Sequence, residues 1–441
     1  MNDLLISGGR VVDAANSFDS IAELLVSDNK ISECSSNICK PSGAQIIDAG
    51  GKLVIPGLVD SHIHVSGGSE GYFMLARAGV TTALDMAGFA EGVKPYLQSS
   101  ATGLNLGFLF PLIPDRTISS VNPDKTELRE VIEKALKDGA FGIKIIGGHY
   151  PLTPEAQRKT VEICNESACY CAVHAGSTET GSNIEGLEEL VKLTGDMHVH
   201  VAHVNSYCRG QVTGNPVEEA GRALNCLKSM KNVRSESYLD IINGTSGRIK
   251  DGVPLSNVTK NCLVAGGYSV STDGLEEAIK KGWAQIHGKR GYEIVLLEPA
   301  EGYEYFKSKD SHVMMSFAVN SPGAAIGIAT AKSNGKFIVN ALSTDGGKIP
   351  RNTTLQKVLP LVRFGAFTML EVVEKACWAP AKMLKLENKG HFSCGADADI
   401  TIFDPDTAKV EYVISSGQIV YHADKFFEVP GKLFSHRKTQ N

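Results

Sequence analysis

The sequence lacks the marks of a membrane protein, a secreted protein and a polyanion binder. No uninterrupted apolar run reaches the roughly 18 residues that a membrane-spanning helix needs. The opening MNDLLISGGRVVDAANSFDS meets Asp3 and further polar residues too early for a secretory signal, so a cytoplasmic location is expected. There is no basic tract: 44 Lys and Arg against 49 Asp and Glu leave a net charge of −5, which suits solubility and offers nothing to nucleic acid or anionic lipid. The 10 Cys form no CxxC pair and no dense framework, which argues against a thiolate zinc site or a disulfide scaffold and fits reduced thiols. Internal repeats and low-complexity segments are also missing. With 42% hydrophobic and 21% charged residues, the 441-residue chain has the composition of an ordinary globular protein.

What is present changes in texture along the chain. The first fifty residues carry short Val, Ile and Leu runs punctuated by Gly, Asn and Asp, and ADADITIFDPD and VEYVISSGQIVYH near the end repeat that style. Neither end has enough strands to bury a face alone, so residues 1–53 and 391–430 are expected to pair into one small β-sandwich domain, followed by a tail at 431–441. Between them, residues 54–390 alternate apolar strands with helical stretches such as PDKTELREVIEKALKDG and PEAQRKTVEICNES. Eight strand–helix units make an α/β fold of the (β/α)8 TIM-like barrel type, whose active sites lie at the C-terminal strand ends. No GxGxxG follows the first strand to favour a doubly wound open sheet. Residues 240–335 are longer than one crossover needs and are expected to carry loops over the site.

The strand ends are polar in a particular way. LVDSHIH ends in His62 and His64, and alternate residues of a strand share a face, so both imidazoles can address one point. FGIKII places Lys144 where an inward apolar residue is expected, CAVHAG ends in His174, HVAHVN in His203, and FIVNALSTDGG in Asp345. Alone, each has an ordinary structural explanation: Asp-Gly-Gly is a common turn, and a lysine can snorkel to solvent. Together they place imidazole and carboxylate donors at one end of successive strands, a set suited to Zn²⁺, Mn²⁺, Fe²⁺ or Co²⁺. Odd spacing puts His198 and His200 on the face opposite His203, outside this set.

The run Pro56-Gly57-Leu58-Val59-Asp60-Ser61-His62-Ile63-His64 resembles the signature of the amidohydrolase superfamily. The spacing of Lys144, His174, His203 and Asp345 is similar to its binuclear branch, which includes hydantoinases, dihydropyrimidinases, dihydroorotases and D-aminoacylase-like hydrolases. The resemblance runs over nearly the whole chain, since GADADI at 395–400 and ISSGQIV at 414–420 are similar to the family's composite β-sandwich ending. It implies two divalent metal ions, zinc first. His62, His64 and Asp345 would hold one, His174 and His203 the other, and Lys144, N6-carboxylated by CO₂, would bridge them. A shared water would fall from a pKa of about 15.7 towards roughly 7 and give hydroxide, with Asp345 taking its proton and passing it to the leaving nitrogen. A tyrosine shortly after the bridging lysine stabilises the oxyanion in hydantoinase-like members; the spacing here leaves His149 and Tyr150 both as candidates. The family also implies a homo-oligomer, dimer or tetramer.

The expected chemistry is hydrolysis of a C–N bond in a small molecule, first of all in a cyclic amide or imide such as a hydantoin-like or dihydropyrimidine-like ring. An acyclic amidase, such as an N-acyl-amino-acid deacylase or a β-aspartyl peptidase, is the alternative, because Tyr207, Arg209, Lys348 and Arg351 sit just past strand ends and their cations suit a substrate carboxylate. A mononuclear deaminase fits less well, since a single metal needs no bridging Lys144.

Overall fold

The computed structural model describes residues 3–436, and the rest of the expected tail, 437–441, lies outside the described residues. The chain divides into two compact units. One comprises the described residues up to Phe108 with Asn340–Gly347 and Asn352–Ser435; the other comprises Leu109–Val339 with Lys348–Arg351 and His436.

In the first unit the β-like ends of the chain meet in a single nine-stranded sheet. Leu4–Asp13 pairs antiparallel with Phe18–Ser27, which pairs with Lys30–Ser35. Leu53–Pro56 joins Leu4–Asp13 in parallel and Ile400–Phe403 antiparallel, and Val410–Ser415 and Gln418–His422 continue from there. Alternate residues turn inward as the period of a strand requires, so Ile6, Leu24, Val54, Ile400, Ile402 and Ile414 share one buried cluster. An ion pair fastens the two ends, Lys30 Nζ lying 2.6 Å from Asp397, and within the C-terminal piece Lys389 Nζ lies 2.6 Å from Asp399 and 2.9 Å from Asp397. Burial pulls the Lys389 ammonium towards neutrality, but the attraction of Asp399 and Asp397 outweighs it and raises its pKa.

The polypeptide leaves this sheet at Gly57. A Cβ there would sit 2.2 Å from Thr81 Oγ1, so only glycine permits the approach. Beyond it, Leu58–His64 pairs in parallel with Val80–Asp85 on one side and Gly346–Gly347 on the other, and Val80–Asp85 pairs with the start of Asn105–Leu112. Helices Glu70–Arg77 and Ala90–Ser100 fill the crossovers. Nearly every residue of these strands is buried, as strands covered on both faces require. From the tail, Lys432–Leu433 adds in parallel to Asn105 and Leu106.

The second unit continues the same grammar. The end of Asn105–Leu112 pairs with Gly142–Ile146, then come Tyr170–His174, Val199–Val201 and Val233–Ser237, all parallel. Between them lie helices Lys125–Lys137, capped by Asp124, and Pro154–Glu166, capped by Thr153 with proline in the first turn, where the amphipathic sequence pattern predicts them. The fold is thus a mixed α/β one in which parallel strands alternate with helices.

Two expectations are corrected. Residues 240–335 are not simply loops: Thr245–Ser246, Met314–Phe317, Ala284–Arg290 and Glu293–Leu296 form a four-stranded sheet, and helices Asn257–Ala265, Thr272–Lys280 and Pro299–Ser308 accompany it, with Leu275, Ile279, Ile286, Met315 and Phe317 in a core of their own. The eighth strand, expected near FIVNALSTDGG, consists of two short pieces, Ala341–Leu342 and Gly346–Gly347, with Asp345 in the left-handed region at φ 48°. Among the described residues, no helix is long and apolar enough to cross a membrane.

Candidate metal centre

In the first unit, three expected ligands converge. His62 and His64 leave Leu58–His64 on one face, and their Nε2 atoms lie 3.3 and 3.1 Å from Asp345 Oδ1. One donor atom from each residue falls within 4.8 Å of the other two. His62 is buried, whereas His64 is about one third exposed. Two imidazole nitrogens and a carboxylate oxygen at this separation fit a divalent ion of the zinc type and leave room for further ligands.

Two buried carboxylates that sequence reasoning passed over set this geometry. Asp60 Oδ1 accepts from the backbone N–H of His62 at 3.1 Å and of Thr344 at 3.2 Å, and its Oδ2 accepts from the Thr344 hydroxyl at 2.5 Å. It therefore ties the residue before Asp345 to the strand that carries both histidines. That tether is the physical reason the eighth strand breaks, since satisfying Asp60 turns the chain at Ser343 and Thr344 and delivers Asp345 from a left-handed residue. Asp85 accepts from the backbone of Val65, Ser66 and Ala87 and from the Ser66 hydroxyl at 2.8 Å, and its Oδ1 lies 4.0 Å from His64 Nδ1. That separation is longer than a hydrogen bond, so Asp85 places a buried negative charge behind His64, the kind of outer carboxylate that often accompanies histidines in metal sites. The signal was available, because Asp85 ends a buried strand in ALDMA just as the histidines end theirs.

In the second unit, His174 ends its strand and His203 Nε2 lies 2.9 Å from His174 Nδ1, the rings meeting edge to face at 4.3 Å. Ser182 Oγ lies 2.6 Å from His174 Nε2. Gly148 lets the His174 ring in, since a Cβ there would be 2.3 Å from His174 Nε2. Tyr207 backs the pair: its ring centroid is 5.4 Å from that of His203, and its hydroxyl accepts from the Ala175 N–H at 2.9 Å. Lys144 is buried and stands in register with Ala172, two residues before His174, so lysine and histidine share a face.

The strand-parity argument for His200 fails. His200 is in register with Ala172, which is in register with Lys144, so His200 faces the same way as Lys144 and His174. His203 lies past the strand end at φ 69°, where alternation no longer applies. Fully buried, His200 has Nδ1 2.7 Å from Tyr170 Oη and Nε2 3.7 Å from Glu236. Burial raises the Tyr170 phenol well above its ordinary range, which keeps it a neutral partner. His198 is exposed.

The remaining candidates separate. Both oxyanion candidates are exposed, and of the two the His149 ring lies 5.7 Å from that of His174. Arg351 is buried, donates to the Ile242 carbonyl at 2.6 Å and stacks 4.5 Å over Tyr238, an arrangement that braces residues 238–242. Lys348 is half-buried, and Arg209 is half-buried with its Nε donating to Asn320 Oδ1 at 2.9 Å. Asn320 and Tyr238 have no role assignable from the sequence because no local pattern distinguishes them.

Comparison with known proteins agrees with this architecture. The chain is 23% identical over 433 residues to a dihydroorotase of Geobacter metallireducens, covering 91% of this chain and 90% of that protein. It is also 23% identical over 465 residues to a D-aminoacylase of Alcaligenes xylosoxydans xylosoxydans, covering 93% and 90%. A crystal structure of D-aminoacylase superposes with a TM-score of 0.69 at 18% identity, covering 99% of this chain and 100% of that one. The dihydropyrimidinase of Brevibacillus agri NCHU1002 superposes with a TM-score of 0.63 at 17% identity over the full length of both. Residues 53–421, from the last strand before Gly57 to the closing strands of the terminal sheet, match the amidohydrolase family, and the chain belongs to it.

Proposed function

We propose that this protein is a binuclear metal-dependent hydrolase that opens a C–N amide bond in a cyclic amide or imide of the hydantoin or dihydropyrimidine kind. The observation that carries the hydrolase reading is the convergence of His62, His64 and Asp345 on one point. In this reading these three hold one ion, His174 and His203 hold another, and Lys144, carboxylated by CO₂ with loss of a proton, serves both. The fold that accompanies it is the eight-stranded barrel with a β domain built from both ends of the chain.

A bound ion of this type supplies a Lewis acid that makes water acidic and polarises an amide carbonyl. The chain does the rest. Asp345 is close enough to both imidazoles to accept a proton beside them and return it to the leaving nitrogen. Asp60 and Asp85 keep Asp345 and His64 in place. His149, beside His174, is the better placed of the two oxyanion candidates. The ring preference is supported by the dihydroorotase, dihydropyrimidinase and D-hydantoinase among the similar proteins. The acyclic reading is favoured by one specific observation, the half-buried Arg209, and by the D-aminoacylases. A mononuclear deaminase would leave the buried Lys144 without a task. We also place the protein in the cytoplasm as a homo-oligomer acting on a small molecule.

The test is metal content together with a panel of cyclic and acyclic amides offered to zinc-loaded protein. Two ions per chain and ring opening are expected. One ion per chain with Lys144 unmodified rejects the binuclear assignment, and turnover of acyclic amides alone rejects the ring.

A further inference from the structure

We infer that Arg209 is an anion hook and that the substrate carries a carboxylate close to the bond it loses, an inference that rests on the hydrolase reading above and narrows its substrate class.

The backbone on both sides of Arg209 is pinned. The turn Val204–Tyr207 starts directly after His203, and Tyr207 at its end is fixed by its bond to Ala175 N and by its ring contacts with His174 and His203. Past Arg209, the buried carboxylate of Glu219 accepts from the backbone N–H groups of Gly210, Val212 and Thr213 at 2.6, 2.8 and 3.0 Å. That carboxylate is thereby spent on the loop and makes no ion pair with the guanidinium.

The head of Arg209 is oriented as firmly. Its Nε donates to Asn320 Oδ1 at 2.9 Å, and Asn320 cannot rotate, because its amide nitrogen faces Tyr238 Oη at 2.9 Å, Ile242 O at 3.1 Å and Asp240 O at 3.2 Å. Tyr238 Oη lies 3.0 Å from Ser206 Oγ, which closes the network back onto the turn that follows His203. Among the described residues, Nε is the only part of the Arg209 guanidinium that makes a hydrogen bond, and no carboxylate pairs with it. With Nε occupied, the two terminal nitrogens present a planar fork, the geometry that grips a carboxylate in a bidentate way. A half-buried cation without a counter-ion has lost hydration that an incoming anion would replace.

Arg209 thus differs from Arg351, which sequence position alone had grouped with it. Arg351 donates to a backbone carbonyl and stacks on Tyr238, so it buttresses the network; Arg209 is what the network presents.

The experiment compares acid and neutral forms of otherwise equal substrates on zinc-loaded protein: hydantoin-5-acetic acid with hydantoin-5-acetamide, and N-acetylmethionine with its carboxamide. Both kcat/KM and calorimetric affinity are measured for wild type, Arg209→Gln and Arg209→Lys. The expected result is a preference for the acid in at least one pair, lost by roughly 10- to 100-fold in Arg209→Gln, with the neutral form changed less than about 2-fold. Arg209→Lys, which keeps charge without the fork, should recover only part. Absence of an acid preference in wild type, or equal losses on acid and amide in Arg209→Gln, overturns the hook. If nothing is hydrolysed yet the acid binds and Arg209→Gln abolishes that binding, the hook stands and the hydrolase reading falls.

Discussion

The two histidine sets of this chain are held by different means. His62, His64 and Asp345 come from segments some 280 residues apart and are fixed by carboxylates: Asp60 ties the two segments together through backbone N–H groups, and Asp85 stands behind His64. His174 and His203 come from neighbouring crossovers and are fixed by each other, by Ser182 and by the Tyr207 ring. The first set brings its own negative charge to a cation. The second is built of imidazole, hydroxyl and phenol groups and has no carboxylate among these contacts. The difference teaches that the first set should hold an ion by itself, whereas in the proposed binuclear reading the second would need a carbamate on Lys144.

The sharpest way to break this contrast is to remove the charge from the first set. Asp345→Asn is expected to lower kcat by about 10³-fold or more, because the proton acceptor and an anionic ligand go together, while urea unfolding stays near that of wild type. Retention of kcat would show that the proton travels elsewhere. Next in size, Lys144→Ala should leave about one ion per chain, bound at the first set, with activity partly restored by added short carboxylic acids. Two ions in that variant would mean that the second set needs no carbamate.

Asp60→Asn and Asp85→Asn weaken the first set without touching its ligands. Losses of roughly 10- to 100-fold in zinc affinity are expected of each, as supporting partners of metal ligands usually show. Asp60→Asn should be the worse, since it also releases Thr344 and the left-handed turn that delivers Asp345. Equal affinities in wild type and both variants would remove the carboxylates from the account.

This contrast also marks what was readable in the residues. HxH at the end of a buried run, His174 and His203 at the ends of later ones, and a helix over 125–137 with Asp124 before it are local patterns, and local patterns survive folding. Asp345 was legible as a residue but not as a conformation, because its turn is imposed by Asp60 from far away in sequence. The facing of His200 was misread because strand parity ends where His203 enters a positive φ. The strands of the insert are short and pair with partners up to about 70 residues away, so no single window reveals its sheet. Asn320 matters only through what it touches.

The insert supplies the smallest expected effect on turnover and a control on the imidazole comparison, because it contains a buried histidine outside both histidine sets. His287 Nε2 lies 2.7 Å from Ser316 Oγ, and burial, with a lesser contribution from the Arg351 charge, lowers its pKa to about 3. The folded state therefore keeps His287 neutral, while the unfolded chain takes up a proton below its ordinary pKa of about 6.5. Stability from this group is complete above that value and is lost as pH falls towards 3. By linkage the loss between pH 6.5 and 5 is at most about 2 kcal/mol. His287→Gln, whose side-chain amide can hydrogen-bond Ser316 and cannot titrate, should flatten that acid limb in urea unfolding at pH 7.5 and 5 while kcat at neutral pH stays within about 2-fold. An acid limb as steep in the variant as in wild type would move the acid sensitivity from the insert to other groups.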